Sequence, residues 1–193
     1  MSQPLTTADK ILDNSLILFA EKGYKETTID EIAKACGIAK GSIYIYYKSK
    51  EEIALAVLSK SIEETKNVIF SVKNIADPYK RIAQLIKKGF KYILDNEKYW
   101  RSLNNLASQS DLKKLFDKNF FEYQNIIITQ ISIYLKELGI PNYKFEAKML
   151  LSFFDGIQLH YYYNRDKKFF TDAKKYLLKR YSKDFFDVIT KLL

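Results

Sequence analysis

Signals for the beginning and the end of α-helices recur along this chain and restrict what it can fold into. Thr28 and Glu31 have the spacing of a capping box, and Asp77-Pro78 places an N-cap residue before a proline at the first helical position. Gly139, two residues before a proline, is typical of a helix end. No segment alternates polar and apolar residues for long enough to predict a sheet. The sequence therefore predicts an all-α protein of about nine helices.

The amount and distribution of apolar residues predict a water-soluble protein. A chain of 193 residues with 47% hydrophobic residues is large enough to bury a sizeable core. Its longest apolar stretch, residues 125–135, is far shorter than the roughly 20 residues that a membrane span needs. The first ten residues lack the basic and apolar regions of a secretory signal. We therefore expect a cytoplasmic protein with no membrane partner.

The chemically reactive residue types are sparse. The single cysteine, Cys36, and the single histidine, His160, exclude an internal disulfide and a Cys/His metal cluster. No carboxylate pair or nucleophile–histidine pair stands out, so we predict no catalytic residue, no metal and no cofactor. The net charge of +9 predicts an acidic partner such as nucleic acid. Residues 34–50 hold four lysines and no acid, although residues 1–60 are neutral overall.

The stretch AKGSIYIYYKSKEE, residues 39–52, places this basic charge beside a run of tyrosine and isoleucine. We interpret the run as a short helix that follows a helix beginning at Thr28 and a turn at Gly37, which is the spacing of a helix-turn-helix. On a helical wheel Ile43 and Tyr47 face the interior. The opposite side carries groups that suit a DNA major groove, namely Lys40, Gly41, Ser42, Tyr44 and Ile45.

From Ile11 to Leu58 the chain resembles the DNA-binding domain of TetR-family transcriptional regulators. The resemblance rests on an apolar first helix that ends in LFAEKGY and on the segment TTIDEIAKACGIAKGSIYIYYKSKEEI. It implies a three-helix DNA-binding domain over residues 1–50, in which the five outward groups named above face bases. It also implies phosphate contacts by Thr28, Tyr46 and Lys50. Asp30 stands where some members carry a longer basic or polar side chain, so we leave it out of the site.

The resemblance further implies that residues 51–193 form a helical bundle that binds a small hydrophobic ligand and dimerises through its last two helices. Aromatic candidates for the pocket, for which packing alone is the alternative role, are Phe90, Trp100, Phe116, Phe120, Tyr123 and Phe154. Gly156, in an Asp-Gly pair resembling one common in the family, would permit close helix crossing. The predicted dimer residues are Phe153, Gly156, Ile157, Tyr161, Leu177, Tyr181, Phe185 and Val188.

The function predicted from these patterns is sequence-specific regulation of transcription by a homodimer. The protein would be a repressor that a small hydrophobic ligand releases from a palindromic double-stranded operator. Two other classes remain open at this point, namely an all-helical enzyme with a similar helix-turn-helix and an architectural protein that binds any duplex. A specific operator would exclude the architectural class, whereas equal affinity for every duplex would favour it.

Overall fold

The computed structural model describes residues 5–107 and 110–184, excluding the side chains of residues 98, 105, 107 and 110–122. Over these ranges the chain forms nine α-helices and no strand, as predicted. No helix within them is long and apolar enough to cross a membrane. The helices are α1 (Thr7–Lys22), α2 (Ile29–Cys36), α3 (Lys40–Tyr46), α4 (Lys50–Phe70), α5 (Pro78–Asp95), α6 (Glu97–Ala107), α7 (Ser110–Glu137), α8 (Tyr143–Asn164) and α9 (Lys167–Arg180).

Local hydrogen bonds fix the helix ends that the sequence predicts. The hydroxyl oxygen of Thr28 accepts from the backbone N–H of Glu31 at 3.3 Å, and the Glu31 carboxylate accepts from the backbone N–H of Thr28 at 2.8 Å. Gly37 then ends α2 in the left-handed region, with φ 68°. Asp77 caps α5 by accepting from the backbone N–H of Lys80 at 2.9 Å. These helix ends are therefore specified by neighbouring residues, without help from distant parts of the chain.

The chain divides into two compact units. The first runs to Glu64 and includes Lys98–Glu122, and the second comprises Thr65–Glu97 and the chain from Tyr123 onward. This division by packing differs from the predicted domains 1–50 and 51–193, because the first part of α4 and most of α6 belong to the unit that contains α1–α3. The predicted boundary at residue 50 separates a DNA-binding part from a part for ligand binding and dimerisation, and it stays a prediction.

The core of the first unit holds the short helix α3 in place. Ile43, at the centre of α3, is fully buried, and Tyr47 packs against the same core. The hydroxyl of Tyr99 in α6 donates to the backbone carbonyl of Val57 in α4 at 3.0 Å. The buried side chains of this core are Ile11, Leu12, Leu16, Phe19, Ile32, Ala33, Ile43, Ile53, Ala54, Val57, Leu58, Leu103 and Leu106.

In the second unit, polar bonds join helices whose apolar faces are packed together. Helix α9 packs against α5 and α8. The buried guanidinium of Arg81 in α5 forms an ion pair with Glu137 at the end of α7. Glu146 of α8 accepts from the guanidinium of Arg180 at 2.7 Å and from the hydroxyl of Tyr181 at 2.6 Å. The end of α9 is therefore fixed to the beginning of α8.

Replacing Glu31 by glutamine tests the cap of α2. The Lys22 ammonium and the N–H and hydroxyl of Thr28 lower the pKa of Glu31 from 4.5 to about 2. Because the pKa is lower in the folded chain, the carboxylate stabilises folding above pH 4.5 and loses this effect as the pH falls towards 2. We expect Glu31→Gln to lower the urea midpoint of unfolding at pH 6, and to lower it less at pH 3. An equal loss at both pH values would contradict this account of the cap.

Candidate nucleic-acid interface

Helix α3 has one buried face and one exposed face. Ile43 is 0% exposed, whereas Tyr44, Ile45 and Tyr46 are 49%, 79% and 43% exposed. Three adjacent large side chains that carry apolar surface into water are typical of a surface that a partner covers. The wheel prediction for Ile43 and Tyr47 is therefore confirmed, and the predicted DNA contacts of Tyr44, Ile45 and Tyr46 lie open to a partner.

The lysines of the basic segment have different surroundings. Lys34 forms an ion pair with Asp30 at 2.8 Å, one turn away on α2. Lys40 and Lys48 are exposed, and no acid among the described residues forms an ion pair with either of them. The sequence prediction included Lys40 and omitted Lys48. Because Lys48 follows the exposed end of α3 in the same basic segment, we add it to the candidate surface.

Gly41 lies at the second position of α3, where the fold does not require a glycine. Its φ is not positive, and a Cβ built on it would meet no atom within 4 Å. Glycine inside a helix is less stable than alanine by about 0.5–1 kcal/mol. The open backbone at Gly41 therefore fits a helix that a partner approaches closely. The half-buried Ser42 lies next to it.

Thr28 has partners that differ from the predicted phosphate. Its hydroxyl donates to the Glu31 carboxylate at 2.9 Å, and its backbone N–H donates to the same oxygen at 2.8 Å. The carboxylate of Glu31 therefore lies at the N-terminus of α2, where a phosphate was expected. The phosphate contact of Thr28 stays a prediction, and it requires the phosphate to replace this carboxylate.

Lys50 is fully engaged inside the protein. Its ammonium donates to the backbone carbonyls of Tyr24 at 2.7 Å, Lys25 at 3.0 Å and Thr27 at 2.8 Å. It also lies 4.6 Å from the centre of the Tyr24 ring. An ammonium has three N–H donors, so none is left for a phosphate. Burial accordingly lowers the pKa of Lys50. We therefore remove Lys50 from the candidate surface, because the resemblance indicated a lysine at this position but not the partners of its ammonium.

The aromatic residues predicted to bind a ligand are packed in two different units. Trp100 packs against the core of the first unit, next to Tyr99. Phe90, Tyr123 and Phe154 belong to the second unit. The side chains of Phe116 and Phe120 lie outside the described part of the structure. A ligand site shared by the six candidates stays a prediction.

Packing accounts for the candidates in the second unit. The ring centre of Phe90 lies 5.3 Å from that of Phe154 and 4.9 Å from that of Phe170. A Cβ on Gly89 would be 2.7 Å from the Phe154 ring, so α5 carries a glycine where this ring approaches it. Tyr123 is buried, and its burial raises the pKa of its hydroxyl. Ligand contact by any of these residues stays a prediction.

Half of the predicted dimer residues are buried inside the second unit, which does not favour a place for them in an interface, and their role stays a prediction. Ile157, Tyr161, Leu177 and Tyr181 are all buried within a single chain. Helical spacing marks the apolar sides of α8 and α9, but it does not show which side packs against the rest of the same chain. Phe153 and Gly156 are exposed, as an interface requires. Phe185 and Val188 lie outside the described residues.

A different side of α8 carries exposed apolar groups at helical spacing. We call the following residues the α8 stripe: Phe145, Met149, Phe153, Gly156, His160 and Tyr163. All are exposed except the half-buried His160, whose Nδ1 lies 3.1 Å from the side-chain amide nitrogen of Asn164. A Cβ on Gly156 would meet no atom within 4 Å, so the packing of a single chain does not require this glycine. The stripe can be found in the sequence, but the buried side of α8 follows helical spacing more regularly and was therefore predicted as the interface instead.

The comparison with known proteins agrees with this geometry. Residues 11–57, which contain α2, α3 and the loops on either side, match the family described as bacterial regulatory proteins, tetR family. Residues 11–57 therefore carry a DNA-binding domain of the TetR family. The N-terminal helices of the chain are therefore the helix-turn-helix of that family. No three His, Cys, Asp or Glu residues in the described ranges are grouped so that they could hold a metal ion.

Individual known proteins resemble the chain to different extents. IcaR of Staphylococcus epidermidis, the negative transcriptional regulator of the biofilm operon icaADBC, is 42% identical over 103 residues, which are 52% of this chain and 53% of IcaR. The chain thus spans about half the length of this curated relative. FadR of Bacillus halodurans, a fatty acid degradation regulator, is 18% identical, with a TM-score of 0.73 over 93% of this chain and 96% of that chain. FadR of Bacillus subtilis, solved with stearoyl-CoA, is 20% identical, with a TM-score of 0.70 over 90% of this chain and 97% of that chain.

Replacing Gly41 by alanine separates the requirements of folding from those of a partner. The added methyl group meets nothing within the chain and favours the helix, so we expect folding to become more stable by about 0.5–1 kcal/mol in urea titrations. The same methyl group would lie between α3 and a duplex. We expect specific DNA binding to weaken by about 1–3 kcal/mol, which fluorescence anisotropy would measure. Unchanged affinity in the more stable variant would show that DNA does not approach the helix at Gly41.

Proposed function

We propose that this TetR-family protein is a sequence-specific DNA-binding regulator of transcription, and that the outer face of α3 reads bases in the major groove. The exposure of Tyr44, Ile45 and Tyr46 beside a buried Ile43 carries the proposal. Ile45 can contact a thymine methyl, and Lys40 and Ser42 can hydrogen-bond base edges. Lys48 and the hydroxyl of Tyr46 are suited to phosphates, which position a protein without reading sequence. Repression is the proposed output, supported by the negative regulator IcaR among its relatives.

The direct test is selection of bound fragments from a library of random duplexes by the purified protein. We expect one palindromic consensus, and we expect Tyr44→Ala to bind it about 1–3 kcal/mol less tightly than the unchanged protein. Tyr176→Ala removes another exposed tyrosine, from α9, and serves as the control. Equal affinity of the unchanged protein for every duplex would contradict specific regulation and favour architectural binding.

Formation of a homodimer would explain why the apolar residues of the α8 stripe are exposed in a single chain. A second copy placed against this stripe would cover Phe145, Met149 and Phe153 around the open backbone of Gly156, where two helices can approach closely. Two-fold symmetry would present two α3 helices to successive major grooves, about 34 Å apart. This arrangement is the physical basis for proposing a palindromic operator.

Replacing Phe153 by lysine tests the proposed dimer surface. A charge in the middle of the α8 stripe would have to be buried, so we expect the dimer dissociation constant to rise by about tenfold or more in sedimentation experiments. Leu94→Lys makes the same change at an exposed apolar residue of α5 and should leave the constant unchanged. If Phe153→Lys dimerises like the control, the stripe is not the dimer interface.

A small hydrophobic ligand is the proposed signal for release from DNA. The proposal is supported by the second unit, which a DNA-binding module alone would not need, and by the stearoyl-CoA bound to the similarly folded FadR of Bacillus subtilis. Such a ligand can lower operator affinity only by its preference for one conformation over another. Helix α4 contributes residues to both units, so a change in its tilt is the proposed route.

Stearoyl-CoA is therefore the first probe to titrate into the operator complex, with coenzyme A as the control that lacks the acyl chain. We expect the acyl compound alone to lower operator affinity. If neither compound changes the affinity while the operator is still recognised, the long-chain acyl proposal fails and DNA recognition stands.

A further inference from the structure

We propose that Lys50 is a positioning residue for DNA recognition, and that it acts by holding the α1–α2 loop on the first turn of α4. The inference rests on the proposed DNA-binding function, and it replaces the phosphate contact that the resemblance implied for this lysine. Its basis is the convergence of three backbone carbonyls on one ammonium, at 2.7, 2.8 and 3.0 Å.

The α1–α2 loop, residues 23–28, turns so that three of its backbone carbonyls face Lys50. Helix α1 ends at Gly23, whose φ of 105° lies outside the helical region. The hydroxyl of the buried Thr27 donates to the carbonyl of Gly23 at 2.8 Å, and its backbone N–H donates to the same carbonyl at 3.2 Å. The carbonyls of Tyr24, Lys25 and Thr27 then point to a common centre that Lys50 occupies. A positive charge at this place also suits the C-terminal end of α1, where the helix dipole is negative.

This loop leads directly into the elements that face DNA. Thr27 is followed by Thr28, the N-cap of α2, and α2 packs against α3. Lys50 is the first residue of α4, so its three bonds join the beginning of α4 to the beginning of α2. Lys60, ten residues further along α4, pairs with Asp13 of α1 at 2.8 Å. A displacement of the first turn of α4 must therefore break the Lys50 bonds or move the loop and α2 with it.

Lys50 could either contact a phosphate or hold the α1–α2 loop, and the two roles predict opposite effects of Lys50→Arg on DNA binding. A guanidinium binds phosphate at least as well as an ammonium, so Lys50→Arg would preserve a phosphate contact. Its planar fork cannot direct three N–H groups to carbonyls that converge on one point, so it would not preserve the loop. Lys50→Met keeps an aliphatic stem beside Tyr24 and removes the donors altogether.

The experiment measures operator affinity against salt concentration for Lys50→Arg and Lys50→Met, with Lys48→Arg and Lys48→Met as matched controls. The temperature is chosen so that circular dichroism shows full helix content in every variant. We expect both Lys50 variants to bind about tenfold or more weakly, with the slope of log affinity against log salt unchanged. Lys48→Met should lower that slope by about 1, and Lys48→Arg should bind like the unchanged protein.

Two outcomes would overturn the proposal. Normal binding by Lys50→Arg, together with a slope lowered by about 1 in Lys50→Met, would make Lys50 a phosphate contact. Normal binding by both folded variants would make the lysine a purely structural residue. Failure of the unchanged protein to select any duplex would instead overturn the proposed function.

A second measurement uses the unchanged protein and does not depend on the folding of variants. Mass spectrometry can measure the rate at which each lysine is acetylated. Because the ammonium of Lys50 is held by the chain, we expect Lys50 to react slowly in the free protein. Adding operator should change its rate by less than about twofold. Lys40 and Lys48 should react readily in the free protein and become protected on DNA. If Lys50 reacts as fast as Lys48 in the free protein and is protected only by DNA, it contacts the duplex and the positioning role is wrong.

Discussion

The burial of Ile43 is the contact on which the proposed recognition surface depends. Helix α3 is seven residues long, which is too short to be stable by itself in water. It is held because Ile43 enters a core made by α1, α2, α4 and α6, with Tyr47 packed at its edge. The exposed side chains on its other face thereby gain a fixed direction. A weaker core would leave Tyr44 and Ile45 without a defined orientation towards any partner.

Four lysines within residues 34–50 show how surroundings decide the role of a residue type. Lys34 is paired with an acid on its own helix, and Lys50 is bonded to three backbone carbonyls. Lys40, the first residue of α3, and Lys48, two residues after its end, are exposed. Two of the four lysines are therefore available for direct contact with an anionic partner, while Lys50 keeps its charge but not its free donors.

Local chemistry made much of the fold predictable from sequence. The Thr28–Glu31 capping box, the turn at Gly37 and the Asp77-Pro78 start involve residues close together in the chain, so reading the sequence was enough to place them. The inward direction of Ile43 followed from helical periodicity in the same way. Recognition of the family needed only the residues around α2 and α3, which match its spacing.

Properties that depend on distant residues were not predictable in the same way. Tyr181 continues the apolar spacing of α9, but only the structure shows that its hydroxyl bonds to Glu146 within the same chain. The bonds of Lys50 join positions 23–26 residues apart, so the sequence alone could not show them, and its predicted phosphate contact stays untested. Trp100 was expected in a pocket, whereas its ring packs on the core of the first unit.

The most direct test of the central claim is a structure of the protein bound to a duplex that it has selected. The account predicts that α3 lies in the major groove, with Tyr44 and Ile45 in van der Waals contact with base edges and Ile43 still buried in the protein core. It also predicts that the ammonium of Lys50 remains on the carbonyls of the α1–α2 loop. A complex in which α3 lies away from the groove, or in which the duplex contacts the second unit instead, would contradict it.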